Sequence, residues 1–278
     1  MKKLLVIAAL LMQAHVIMAQ EALLWKVSGK DAKTSYLFAS SIVCDNKVQL
    51  PVAVETAVTG ADNVYFELPD RDDDTAFAGL TRLPAGDSLQ RYFSREEYSL
   101  FKSFLARRLR IGLAGNEDFT PAFAYYTVRN MLTYCEVNTN YTNVIANLAD
   151  AQNKPTFGLE TTAEGLKAQL KIPPAVYTKL IMDIVYASGN ITITRNQQMD
   201  LYKKQDIFGM YNAYIKGKEL GGYEQIMLGD RNRKWLPVIK TAIARSSSFF
   251  CVGALQFGGE QGLIELLRKE GYTVTAIK

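Results

Sequence analysis

The sequence predicts an α/β fold: a central mixed sheet with flanking helices and a helical middle region. Three observations carry that expectation. The stretch from Ser246 to Lys278 reads as strand, loop, helix, strand. The opening pair Leu23–Val27 and Ser35–Ala39 reads as a β-hairpin. Between them, most of the chain carries helical periodicity with recognisable start and stop signals.

The first twenty residues stand apart from the fold. Lys2 and Lys3 precede the apolar run Leu4–Met12, and small residues lead to Ala19–Gln20. This is the pattern of a secretory signal peptide and is short for a membrane span. It predicts a leader over residues 1–20 and a single domain over 21–278. The protein is then exported, periplasmic or secreted from a bacterium, with no stable membrane anchor after cleavage. Without the leader the charge falls to about +2, too small a bias to argue for a nucleic-acid partner.

His15 is the only histidine in the chain and lies in the leader. The mature protein therefore lacks the usual general base near neutral pH and the commonest zinc ligand. Ser-His-Asp and Cys-His chemistry are excluded. Cys44, Cys135 and Cys251 form no CxxC, and at most one intrachain disulfide is possible. Buried thiols are expected for Cys135 and Cys251, and a Cys44–Cys251 pairing stays open. Cys44 lacks the activating base that a nucleophile needs.

In chain order, a short helix opens at Pro51 and ends near Gly60, before the strand Asn63–Leu68. Asp70, Asp72, Asp73 and Asp74 make a solvated acidic loop without calcium-loop spacing. Ser94-Arg-Glu-Glu97 is a capping box for a helix from about Arg95 to Arg110. Its Arg107, Arg108 and Arg110 suit the helix C-terminus. Thr120–Pro121 starts an aromatic-rich helix, and Asn143–Gln152 forms another. The strand Thr156–Leu159 ends at Glu160, and Thr161-x-x-Glu164 caps the next helix. Amphipathic helices follow Pro173–Pro174, broken around Gly189 and near Gly221–Gly222; Met199–Lys216 is the clearest. A helix from Asp230 reaches Arg245. The apolar run Phe249–Val252 predicts a strand covered on both faces. Gly253–Gly259 lies at its carboxyl end, where open α/β sheets place ligands.

With these pieces placed, the chain resembles the TraB/GumN family, which includes PrgY and the Wnt-cleaving TIKI proteases. The resemblance rests on several short tags in order. They are Leu24-Trp25-Lys26-Val27 with Ser35-Tyr36-Leu37-Phe38, Phe66-Glu67-Leu68, Gly158-Leu159-Glu160-Thr161, and Arg231-Asn232 with Trp235. Val252-Gly253-Ala254 and then Gly271-Tyr272-Thr273-Val274 complete the set. The resemblance implies a fold akin to the erythromycin-esterase and ChaN group. It also implies a metal-dependent proteolytic branch that uses two G-x-x-H motifs. Here the first motif position reads Ala39-Ser40-Ser41-Ile42 and the second Gly253-Ala254-Leu255-Gln256, so Ile42 and Gln256 hold the histidine slots.

The vestigial site is therefore expected at Glu67 and Arg231, with Ile42, Gln256, Glu160 and Asn232 beside them. Glu67 at a strand end can hold a loop by accepting backbone N–H bonds. Arg231 is expected to pair with Glu67 or Glu160, because unpaired buried charge is costly. Ile42 is expected to fill space that a metal would occupy. The preferred reading is a catalytically degenerate, metalloprotease-like protein without cofactor that binds a peptide, glycan or protein partner. The alternatives are a metal-dependent hydrolase with an oxygen-ligand site at Glu67, Glu160, Gln256 and Asp45, using a divalent metal, and a structural domain whose pocket has no ligand.

Overall fold

The computed structural model describes residues 22–29, 31–45, 49–68, 79–113, 115–136, 138–187, 192–217 and 222–278. The leader, the acidic loop and the break around Gly189 lie outside the described residues.

Six strands form the main sheet: β1 (Leu24–Ser28), β2 (Ser35–Ser40), β4 (Asn63–Phe66), β6 (Thr156–Gly158), β7 (Ser248–Gly253) and β8 (Thr273–Ile277), ordered β6-β4-β7-β2-β1-β8. β7 runs parallel to both β2 and β4, and β4 runs parallel to β6. β1 is antiparallel to β2 and to β8. The sheet is thus mixed, with β1 alone reversed. β7 is buried at every position except Gly253, as its unbroken apolar run requires. It enters the sheet after β1, β2, β4 and β6, between β2 and β4, so the chain skips a place that its C-terminal region later fills.

Helices cover both faces. Phe38 and Cys251 are register partners. Phe38 meets the Tyr141 ring at 5.7 Å and Cys251 Sγ lies 3.9 Å from Thr142 Oγ1, so helix Tyr141–Ala151 covers that face. On the other face Trp25 meets Phe208 edge-on at 6.1 Å. Tyr65 stacks on both Phe157 and Phe250, joining β6, β4 and β7 with a row of rings at about 5 Å spacing.

A second core sits in the helical region. Helix Arg95–Phe104, helix Pro121–Thr133 and helix Pro174–Tyr186 bury Phe101, Tyr125, Val128, Tyr177 and Ile181 together. The capping boxes at Ser94 and Thr161 are both complete, each with reciprocal side-chain bonds. The first helix runs on through a wider turn, Leu105–Leu109, and stops at Arg110 in a left-handed conformation. Gly271, at φ 85°, ends helix Leu263–Lys269. Among the described residues no helix is long and apolar enough to cross a membrane.

Two expectations need correction. Met199–Lys216 is not one helix. Helix Thr192–Lys203 ends, Gln205 takes a left-handed turn, and Asp206 accepts the Gly209 N–H to start helix Ile207–Lys216. Cys135 is not a free thiol but is bonded to Cys44. The two-residue strands β3 (Ile42–Val43) and β5 (Thr139–Asn140) pair antiparallel, which brings the cysteine Cα atoms to 5.6 Å. Cys251 remains the buried free thiol.

Candidate functional site

The parallel pairing of β4 with β6 sets the geometry. Beyond the strand ends the ladder continues, with the Glu160 N–H donating to the Glu67 carbonyl at 3.0 Å. Two carboxylates therefore leave the same edge of the sheet side by side. Arg231, in the first turn of helix Asp230–Arg245, reaches across both. Its Nε donates to Glu160 Oε1 at 2.7 Å and its Nη2 to Glu67 Oε2 at 2.7 Å; Nη2 also contacts Glu160 Oε1. The Arg231 side chain is 15% exposed and that of Glu160 is 3% exposed. Burial works against the arginine charge, but the two carboxylates outweigh it and hold its pKa above the ordinary value. The guanidinium also lies 4.7 Å from the centre of the Trp235 ring, one helical turn on.

Glu67 has a second task. Its Oε1 accepts the Gly253 N–H at 2.6 Å, tying the end of β4 to the end of β7. A Cβ on residue 253 would lie 2.9 Å from that oxygen, so a larger residue there would push the Glu67 carboxylate aside. The loop-holding role expected of Glu67 is present in the structure.

Above these strand ends lies a cleft of about 390 Å³, bounded by the carboxyl ends of β2 and β7 and by the helical region. Glu67, Arg231 and Gln256 line it. Gln256 follows Gly253 in the short turn Ala254–Phe257 and is only 2% exposed. Its Oε1 is buried without a hydrogen-bond partner among the described residues. Asn232 lies behind this turn, outside the cleft lining. Its Nδ2 donates to the Gln256 carbonyl at 2.9 Å and to the Gln261 carbonyl at 2.8 Å. Asn232 is a positioning residue.

Ile42 is the expectation that fails. It is 58% exposed and is not in the cleft lining. The main-sheet strand stops at Ser40, and the chain passes through Ser41 into β3, where Ile42 pairs with Asn140. Ser40 and Ser41 line the cleft instead. Asp45 is likewise outside the lining and pairs with Lys203 at 3.8 Å. Cys44 is committed to its disulfide.

The helices contribute residues that the sequence did not single out, among them Arg129, Gln198, Met210 and Tyr214. The Gln198 Nε2 donates to the Met210 carbonyl at 3.4 Å, while its Oε1 is buried and unpartnered among the described residues. These side chains sit on amphipathic helices whose patterning reads as core, and no local motif marks them.

A match to the model of the TraB/PrgY/gumN family spans residues 23–276. The chain belongs to this family. No curated protein and no solved structure matches the chain. Membership raises the metal centre of the family's proteolytic branch, and the residues here do not fit one. Both oxygens of Glu67 and Oε1 of Glu160 already accept from Gly253 or Arg231. Among the described residues no group of three or more His, Cys, Asp or Glu is placed to hold a metal. Transition metals in proteins are held mainly by imidazole or thiolate, and this TraB/PrgY/gumN member offers neither at the cleft.

Proposed function

We propose that this TraB/PrgY/gumN protein is an exported, catalytically degenerate member whose cleft binds a ligand without cleaving it. The observation that carries the reading is Arg231 bridging Glu67 and Glu160. The guanidinium supplies the positive charge that two adjacent carboxylates demand. A divalent cation at the same carboxylates would have to displace it, breaking charge-assisted hydrogen bonds on both sides. The cleft itself is retained at the ligand-binding edge of an open α/β sheet.

Export is supported by the leader sequence and by the Cys44–Cys135 bond, since disulfides persist in oxidising compartments. Mass spectrometry of protein from the native host should find an N-terminus near residue 21 and one intact disulfide. The activity test is peptidase assay of the mature chain with added Mn²⁺, Co²⁺ or Zn²⁺, beside elemental analysis. The expected result is no cleavage and far less than one metal per chain. Cleavage abolished by Glu67→Ala would establish the oxygen-ligand hydrolase instead.

A further inference from the structure

We infer that the edge of β6 takes an extended segment of a partner protein as an added strand, one carrying an aromatic side chain two positions from a carboxylate. The site lies apart from the cleft and shares no lining residue with it. β6 is the last strand on its side of the sheet. The Pro155 carbonyl accepts from the Val64 N–H and the Leu159 N–H donates to the Phe66 carbonyl, so positions 155, 157 and 159 bond toward β4. The N–H and C=O groups of Thr156 and Gly158 therefore point away from the sheet, and none has a hydrogen-bond partner among the described residues. Pro155 does not blunt this edge, because its missing N–H lies on the side facing β4. The opposite edge is guarded: the outward Val274 carbonyl of β8 accepts from Arg268 Nη2 at 2.9 Å.

The rings beside the edge set what the added strand carries. Phe250, Tyr65 and Phe157 are register partners on three neighbouring strands, with ring centres 4.9 and 5.1 Å apart, close to the spacing of the strands themselves. The row stops at Phe157, which is 44% exposed. A ring on an added strand, in register with Phe157, extends the row by one step and covers that face. There is room for it. A groove of about 570 Å³ lies between these rings and helix Asp230–Arg245, with Pro237 and Val238 on its far wall. At the Asn63 end of the groove stands Arg245, exposed and without an ion-pair partner among the described residues. The nearby Asp62 carboxylate accepts the Ser247 N–H at 3.0 Å. Since Val64 is level with Thr156, Asn63 is level with Pro155, two residues before Phe157. A carboxylate two places along the added strand, on the same face as its ring, comes within reach of the Arg245 charge. A second copy of this chain fits less well. Paired antiparallel about Phe157, it would bring the buried, apolar Leu159 level with Pro155, where the acid belongs.

The test uses two end-blocked heptapeptides of threonine with a central phenylalanine. One has an aspartate two places after the ring, for an antiparallel strand; the other has it two places before, for a parallel strand. Binding to the mature chain is read by fluorescence anisotropy. One of the two should bind saturably, and serine in place of its phenylalanine should weaken it by roughly tenfold or more. N-methylation should abolish binding at the amides that face β6 and spare it at the others. The facing amides belong to the residues flanking phenylalanine in the antiparallel order, and to phenylalanine itself in the parallel order. Phe157→Ala should weaken binding by roughly tenfold. Arg245→Glu should melt like the parent and bind about fivefold more weakly, and lysine in place of the peptide's aspartate should restore the loss. No saturable binding of either peptide at millimolar concentration, equal binding of the serine peptide, or equal effects of N-methylation at both sets of amides would overturn the inference. So would a dimer in sedimentation velocity that Phe157→Ala dissolves, since the edge would then belong to a second copy.

Discussion

Arg231 Nη2 lies 2.7 Å from Glu67 Oε2, although 164 residues separate the two in sequence. The contact joins the first turn of a late helix to the end of an early strand. It also holds Glu160, whose side chain is 3% exposed, through the same guanidinium. One cation thus closes the carboxyl edge of β4 and β6 and sets the charge of the cleft.

Arg231→Met should cost about 3–5 kcal/mol of stability by urea denaturation, because it leaves a buried carboxylate without its partner. Adding Glu160→Gln to that variant should restore part of the loss, since the two positions share one ion pair. Arg231→Lys should recover only a fraction, as an ammonium cannot reproduce the forked geometry.

Gly253→Ala tests the other hold on Glu67. The backbone at 253 has φ −58°, which alanine adopts freely, so any loss comes from crowding. The new Cβ would lie 2.9 Å from Glu67 Oε1 and force the carboxylate off the Gly253 N–H. A loss of about 1–3 kcal/mol is expected, and it should shrink when Glu67→Ala is already present.

Cys251 carries a pH prediction. Burial is the main cause that pushes its thiol up to about 12, with the Thr142 and Ser40 hydroxyls pulling modestly the other way. A group whose folded pKa is raised stabilises the fold below its unfolded pKa and loses that contribution as pH rises toward the folded value. This thiol's contribution should therefore decline from about pH 9 to about 12, with the unfolded thiol ionising first. At pH 8, iodoacetamide should label no cysteine in the native protein and one per chain in denaturant, with the Cys44–Cys135 bond intact.

Much of the fold was legible because its signals are local. Phe249–Val252 reads as a doubly covered strand, and the capping residues Ser94 and Thr161 fixed two helix starts. The Arg231 ion pair was foreseeable once the resemblance had singled out Arg231, Glu67 and Glu160, since carboxylates at buried strand ends need a partner. Motif spacing placed Gln256 correctly but misplaced Ile42. The turn at Ser41 that swings Ile42 onto β3 depends on pairing with Asn140, a contact about a hundred residues away that periodicity does not encode. The Cys44–Cys135 bond depends on the same pairing. Gln198 escaped notice because its helix shows only an amphipathic pattern, and its place in the lining emerges once helix, turn and strand ends share a cleft.

The position of Ile42 changes what a restoration experiment should do. Ile42→His with Gln256→His places one imidazole on β3, outside the cleft lining, and the other within it. Zinc affinity measured by competition with a chelator should stay close to that of the Gln256→His single variant. A large gain unique to the double variant would mean that the two side chains converge after all.

The proposed reading puts Arg231 in the place of a metal between Glu67 and Glu160. Its most direct test is calorimetric titration of the mature protein with Mn²⁺ and Zn²⁺, repeated on Glu67→Gln. The prediction is no saturable binding at the cleft by either ion, and no difference between the two proteins. A one-to-one site present in the mature protein and lost in Glu67→Gln would contradict it.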